Sequence, residues 1–326
     1  MAQKSLKVCL TGAAGQIGYA FIPLLLSGQV FGTETLIELR LLDIPQCEEV
    51  LKGVILEIED CAYPLLSSVT SGSCAKDLFK DIDVGVFVGG FPRKDGMERK
   101  DLLAINGKIF KEQGEALNES ASPNCKCIVV ANPANTNCMT LQHFAPKLPK
   151  ENFTALTRLD HNRAKAQLAA KLGVSTTAVK NVIIWGNHSS TQYPDVNHGT
   201  INGAPIREAI NDEAYLNGDF IARVQKRGAE VLKARKLSSV FSAANAVKDH
   251  LKDWYFGNEL EYVSMGLISD GNHYGVPAGI NFSFPIKCLG NFQYQIVDGL
   301  CIDAFSQEKL DITTKELLEE KADAPV

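Results

Sequence analysis

An apolar run at residues 6–12, "LKVCLTG", stops at a glycine and passes almost at once into residues 16–28, which have the length and apolar content of a helix. A second apolar run, "LIELRLLD" at 36–43, follows. A strand that is apolar on both faces must be covered on both, and helices between successive parallel strands supply that cover. The pattern recurs. "EEVLKGVILEIEDCA" (48–62) reads as an amphipathic helix with Val50, Leu51, Val54, Ile55 and Ile58 on one face. "DVGVFVGG" (83–90) and "KCIVVANP" (126–133) read as strands, with a helix around 98–118 between them. The predicted class is α/β, with a doubly wound parallel sheet in the first half. From about residue 155 the pattern becomes mixed. It has a strand at 181–188, a long helix at 219–236 with Asp219 as its N-cap, a helix at 239–256, two β-rich segments and a last helix at 307–321. No Pro/Gly/Ser-rich linker parts the halves, so they are expected to share an extensive interface.

The chain has 326 residues, more than one hydrophobic core usually serves. Its net charge of −5 speaks against nucleic acid or an anionic membrane as the main partner. No apolar run reaches the roughly 18 to 20 residues of a membrane span. The N-terminus enters a strand directly, which leaves no room for a targeting peptide. The nine cysteines are an odd, scattered set. Cys125 and Cys127 are one residue short of the CxxC spacing, and they read as thiols in a reducing compartment with no metal site.

"VCLTGAAGQIGYAF" places Gly12, Gly15 and Gly18 between strand and helix. The first permits a tight turn, the second lets backbone approach a pyrophosphate, and the third lets the helix pack close to the strand. A turn that merely needs glycine would read the same. The next strand ends in Asp43, which can accept hydrogen bonds from both ribose hydroxyls of an adenosine and would repel a 2′-phosphate. Strand, glycine turn, helix, strand and acid together point to NAD. The competing reading is Asp43 as a helix cap.

"GGFPRKDGMERKDLL" (89–103) frames Arg93 and Arg99 with glycines, as a closing loop around a small anion would. "VIIWGNHSS" ends a strand with His188, which is either structural or an acid–base group, with His161 as its nearest rival. In "LTRLDHNRAKAQ", Asp160 and Arg163 share one helix face. An aspartate there can fix a histidine's tautomer, and an arginine can grip a carboxylate through two bonds. An ordinary ion pair at a helix N-terminus fits the same spacing.

Six motifs in this order, "GAAGQIG", "LLDIP", "PRKDGMERKDLL", "VVANPANTNC", "LDHNRA" and "WGNHSS", resemble the malate dehydrogenase branch of the lactate/malate dehydrogenase family, in its cytosolic type. The resemblance runs from about residue 5 to 320. It implies a Rossmann-type NAD-binding domain at 1–154 and a mixed α+β substrate domain at 155–326. It implies reversible NAD-dependent oxidation of (S)-malate to oxaloacetate by a cytoplasmic homodimer, with the 48–62 helix at the dimer interface. By the same resemblance His188 carries the proton and Asp160 holds it. Arg163 grips the C1 carboxylate, and Arg99 polarises the carbonyl. Arg93 meets the second carboxylate, where glutamine would go with lactate. Asn132 touches substrate and nicotinamide ribose, Ser242 lies near the nicotinamide, Gln113 contacts the cofactor, and Asn132–Pro133 is cis.

Overall fold

The computed structural model describes residues 4–92 and 99–326. Six strands run parallel: β1 (Lys4–Thr11), β2 (Thr35–Leu42), β3 (Leu66–Gly72), β4 (Val84–Phe87), β5 (Lys126–Val129) and β6 (Phe153–Ala155). Their order across the sheet is β3-β2-β1-β4-β5-β6, so the winding direction reverses between β1 and β4. Val8, Cys9, Leu10, Val84, Val86 and Phe87 have no solvent exposure, as strands covered on both faces require. The covering helices are α1 (Gln16–Leu26), α2 (Glu48–Asp60), α3 (Ala75–Leu78), α4 (Arg99–Ser120) and α5 (Ala134–His143).

The second half starts with α6 (Arg158–Leu172) and β7 (Val179–Lys180). The expected strand at 181–188 is shorter, β8 (Ile183–Trp185), and pairs antiparallel with β9 (Tyr193–Asp195) instead of joining the main sheet. There follow β10 (Thr200–Ile201), β11 (Ala204–Pro205), α7 (Ile206–Ile210), α8 (Phe220–Arg235) and α9 (Phe241–Phe256). The chain closes with β12 (Asn258–Ile268), β13 (Asn281–Gly290), β14 (Gln293–Ile296) and α10 (Ala304–Asp323). β12 pairs antiparallel with β6, with Gly266 opposite Ala155, so the parallel sheet continues into the last three strands. A Cβ at Gly266 would lie 2.7 Å from Ala155 Cβ, so only glycine lets the two halves join here.

Two expectations need correction, and one strand escaped the sequence pattern. Asp219 is not an N-cap: it has helical φ and ψ and makes no capping bond, because a single π-helical turn, Tyr215–Asp219, leads into α8. Asp212 takes the capping role further upstream, its Oδ1 accepting the Tyr215 N–H at 3.0 Å. β3 had no apolar run to announce it, since it is an edge strand whose Ser67 and Ser68 are exposed. On α2, Leu51, Val54 and Ile58 are buried, but Val50 is 51% and Leu56 61% exposed, so the helix also carries apolar surface that its own sheet does not cover.

All nine cysteines are free thiols, and Cys9, Cys125, Cys127 and Cys138 are buried in one apolar cluster. Burial pushes the thiols of Cys9, Cys127 and Cys138 far above their ordinary range. Among the described residues no cluster of His, Cys, Asp or Glu is arranged to hold a metal. None of the described helices is long and apolar enough to cross a membrane.

Two buried histidines brace the core, and one of them, His250, ties the halves together. His161 Nδ1 meets Ser264 Oγ of β12 at 3.1 Å, and His250 Nε2 meets Thr154 Oγ1 of β6 at 3.0 Å. Burial and the nearby Arg158 push His161 far below the ordinary range, helped by Lys165, and push His250 down to about 3. Both rings stay neutral in the fold, whereas the unfolded chain protonates them near pH 6.5. The unfolded state then binds more protons, so stability falls as pH drops below that value, by about 1.4 kcal/mol per pH unit for each histidine. The contribution of His250 flattens only near its folded value of about 3. Denaturant midpoints measured at neutral and mildly acidic pH should follow this slope, and His250→Gln should remove about half of the pair's share.

Candidate active site

β1 and β4 end side by side where the sheet order reverses, the place where open α/β sheets bind ligands. Gly12 has φ +65°, and a Cβ there would lie 2.5 Å from Gly89 Cα. The two loops touch backbone to backbone, and Thr11 Oγ1 accepts the Gly89 N–H at 3.1 Å. Gly15 caps α1 with no side chain of its own, and its N–H closes the turn onto Gly12 O at 3.0 Å. A Cβ on Gly18 would meet Gly12 O at 2.9 Å and Ala13 Cα at 3.0 Å, so this glycine lets α1 sit against the turn. The positive end of the α1 dipole faces the groove, which favours a phosphate.

Asp43 lies at the tip of β2. Its Oδ2 accepts the Ala14 N–H at 2.9 Å, and its Oδ1 accepts the Ile44 N–H at 2.9 Å. It therefore buckles the glycine turn to the next strand. α2 starts at Cys47 without a side-chain cap, so the competing reading of Asp43 as a helix cap does not hold. A carboxylate accepts about four hydrogen bonds, and these two leave capacity for ribose hydroxyls. These residues fit an NAD adenosine and pyrophosphate.

The second cluster sits on α6 and just beyond β8. Asp160 is fully buried and receives His188 Nδ1 on one oxygen and Arg163 Nη1, at 3.1 Å, on the other. Burial alone would push its carboxyl up. The charge and hydrogen bond of His188, the Arg163 guanidinium and the Gln192 side chain outweigh that, and hold it below the usual carboxylate value. An ionised carboxylate only accepts, so His188 Nδ1 carries a proton and Nε2 is the nitrogen left to meet a ligand. The His188 main-chain N–H donates to Asn135 Oδ1 at 2.8 Å, which fixes the residue from the opposite side. Arg163 Nη2 donates to Ser239 Oγ at 3.2 Å, so its fork is oriented at both tips. The rival His161 is sealed in the core and away from any groove.

Asn132 is exposed, and the Asn132–Pro133 bond is cis, as expected. Its carbonyl accepts from Asn106 Nδ2 at 2.8 Å. Asn106 is itself fully buried and also holds the stem of the arginine loop, accepting the Phe91 N–H at 2.7 Å and donating to Phe91 O at 3.2 Å. Sequence reasoning missed Asn106, which no motif marks, and Asn135, although it lies inside the quoted "ANPANTN". It also missed Ser239. Ser242 is exposed in the first turn of α9, while Ser239 makes the contact with Arg163. Gln113 lies on α4 about 10 Å beyond Asn106 along the helix axis. Its buried Oε1 has no partner among the described atoms, and it is not part of the His188 cluster. Arg93 lies outside the described residues, and Arg99 enters them only through its backbone, as the first residue of α4.

The family description "lactate/malate dehydrogenase, NAD binding domain" matches residues 6–154. The description "lactate/malate dehydrogenase, alpha/beta C-terminal domain" matches residues 157–325. The chain is 55% identical to the cytoplasmic malate dehydrogenase of Rattus norvegicus, over 98% of this chain and 97% of the relative. It is 52% identical to that of Zea mays, over 98% of each. Among solved structures, malate dehydrogenase from Naegleria fowleri superposes with TM-score 0.95 at 43% identity, over 98% of each chain. Trichomonas vaginalis lactate dehydrogenase in complex with NADH and oxamate superposes with TM-score 0.93 at 37% identity, again over 98% of each. Motifs, sheet order and matched sequence agree along nearly the whole chain, which belongs to the lactate/malate dehydrogenase family.

Proposed function

We propose that the chain is an NAD-dependent malate dehydrogenase that interconverts (S)-malate and oxaloacetate. The observation that carries the reading is the His188–Asp160–Arg163 cluster beside the switch point of the sheet, in a chain more than half identical to cytoplasmic malate dehydrogenases. Nicotinamide, when bound, supplies or accepts the hydride. The protein's part is the proton and the charges. His188 gives a proton to the substrate oxygen in one direction and takes it back in the other. Asp160 keeps the Nδ1 proton in place and stabilises the charged ring. Arg163 binds the carboxylate next to the reacting carbon, and Asn132, on the turn between β5 and α5, contacts substrate and the nicotinamide ribose. The resemblance gives the remaining roles to Arg99 and Arg93. The first polarises the carbonyl, and the second pairs with the far carboxylate that pyruvate lacks. Gly12, Gly15, Gly18 and Asp43 hold the cofactor, with Gln113 and Ser242 as further contacts. The NAD-binding and substrate domains divide at 154/155. The uncovered Val50 and Leu56 on α2 support a homodimer through that helix. The names of the relatives support a cytoplasmic location.

The direct test is NADH oxidation followed by absorbance. Oxaloacetate should be reduced and pyruvate barely so, and the reverse preference would overturn the reading. Arg93→Gln should lower kcat/KM for oxaloacetate by roughly 10² to 10³, since breaking a desolvated charge pair costs on the order of 3 to 5 kcal/mol, and should raise it for pyruvate. A loss under about threefold would remove Arg93 as the specificity residue. His188→Asn should leave NADH binding nearly intact in a fluorescence titration while removing most turnover. Loss of cofactor binding instead would make the histidine structural. Asp43→Ser should narrow the preference for NADH over NADPH. It should also weaken NADH itself, because the charged bond to Ala14, worth about 1.5 to 3 kcal/mol, is lost. Equal use of both cofactors by the unaltered protein would count against the role of Asp43.

A further inference from the structure

The last helix stands directly on the segment that carries His188. Gly186 has φ +87°, and a Cβ there would lie 2.2 Å from Thr313 Cγ2 of α10. The Asn187 N–H donates to Thr313 Oγ1 at 2.9 Å. Asn187 Nδ2 donates to Glu316 Oε2 at 2.9 Å and to Glu320 Oε1 at 2.6 Å. Beyond the histidine, the Ser189 and Thr191 hydroxyls donate to Glu316 Oε2. The second oxygen of Glu320 reaches elsewhere and accepts from the Thr136 hydroxyl of α5. Thr136 follows directly on Asn135, which holds the His188 N–H, and lies in the first turn of α5, just after the cis Asn132–Pro133 bond. Glu320 and Thr136 are each 3% exposed and Asn187 is 1% exposed.

We propose that Glu320 is a positioning residue for proton transfer: its carboxylate sets the distance between the His188 segment and the Asn132 turn. The inference rests on the reading of His188 as the proton carrier. An amide N–H and a hydroxyl arrive from two different segments, both as donors, and an ionised carboxylate accepts from both at once. A glutamine of the same shape presents one acceptor and one donor, and its donor would face a donor. Charge-assisted bonds of this kind, away from water, hold distances more tightly than neutral ones. Glu316 accepts from Asn187, Ser189 and Thr191, and so shapes the His188 segment itself.

The test uses two variants of the full-length protein, Glu320→Gln and Thr136→Val, which break the bridge from opposite ends. In both, fluorescence titration should give an NADH Kd within about twofold of the unaltered protein, since the glycine turn is untouched. The kcat for oxaloacetate reduction should fall about 10- to 100-fold with KM little changed, because a small misplacement acts on the transfer step. The isotope effect on kcat with 4-deuterated NADH should rise, because that step then limits turnover more fully. A merely structural role would reduce the amount of active enzyme and leave KM and the isotope effect unchanged. That result, or a kcat within twofold in both variants, would overturn the proposal. If Glu320→Gln fails to fold, Thr136→Val decides, since it removes a single hydroxyl. A wrong assignment of the reaction would appear in the unaltered protein, as no oxaloacetate-dependent NADH oxidation, whereas a wrong assignment of Glu320 would appear only in the variants.

Discussion

A carboxylate with no solvent contact, that of Asp160, is the point around which the site is arranged. Ionised and unpaired, it would cost several kcal/mol, and removing one partner of such a group is among the more damaging changes a fold can suffer. Its two oxygens are satisfied by two different donors, Arg163 one turn away on the same helix and His188 from another segment. The compensation fixes chemistry as well as stability. It determines which nitrogen of His188 is protonated, which edge of the ring is left for a ligand, and where the guanidinium of Arg163 stands. Ser239 and Asn135 then tether the outer ends of the same residues. Stability and reactivity therefore share one set of bonds.

The sheet explains how these parts reach one another. β1 and β4 bring the glycine turn and the stem of the arginine loop together, and β6 hands the sheet over to β12. Each junction depends on a backbone approach that a side chain would block, at Gly12 against Gly89 and at Gly266 against Ala155. The two halves are separate matches in sequence but one sheet in structure, so the cofactor groove and the His188 cluster are fixed relative to each other by main-chain hydrogen bonds.

Local chemistry was readable in the sequence, and contacts between distant segments were not. Gly12, Gly15, Gly18 and Asp43 sit within a short strand–turn–helix–strand pattern, and spacing alone brought them to one place. His188 and Asp160 are 28 residues apart, and family resemblance rather than periodicity joined them. Asn106, Asn135 and Glu320 escaped notice because a polar residue's value here comes from a partner that no spacing rule connects to it; Asn187 and Glu320 are 133 positions apart. The cap of α8 went to the wrong aspartate because an extra π-helical turn, invisible in the hydrophobic pattern, moved the start of the helix. β3 was missed for the opposite reason, since an edge strand with one solvated face does not need an apolar run.

The place of α10 in the chain has a consequence for synthesis. Residues 4–155 contain every strand of the parallel sheet, the glycine turn and Asp43, and they leave the ribosome first. The segment around His188 comes next, but the side chains of Thr313, Glu316 and Glu320 that hold it are translated only near the end. The residues of the groove that fits a nucleotide are therefore all translated well before those that complete the acid–base site. The groove and the acid–base site are thus completed by different stretches of the chain, one translated early and the other late.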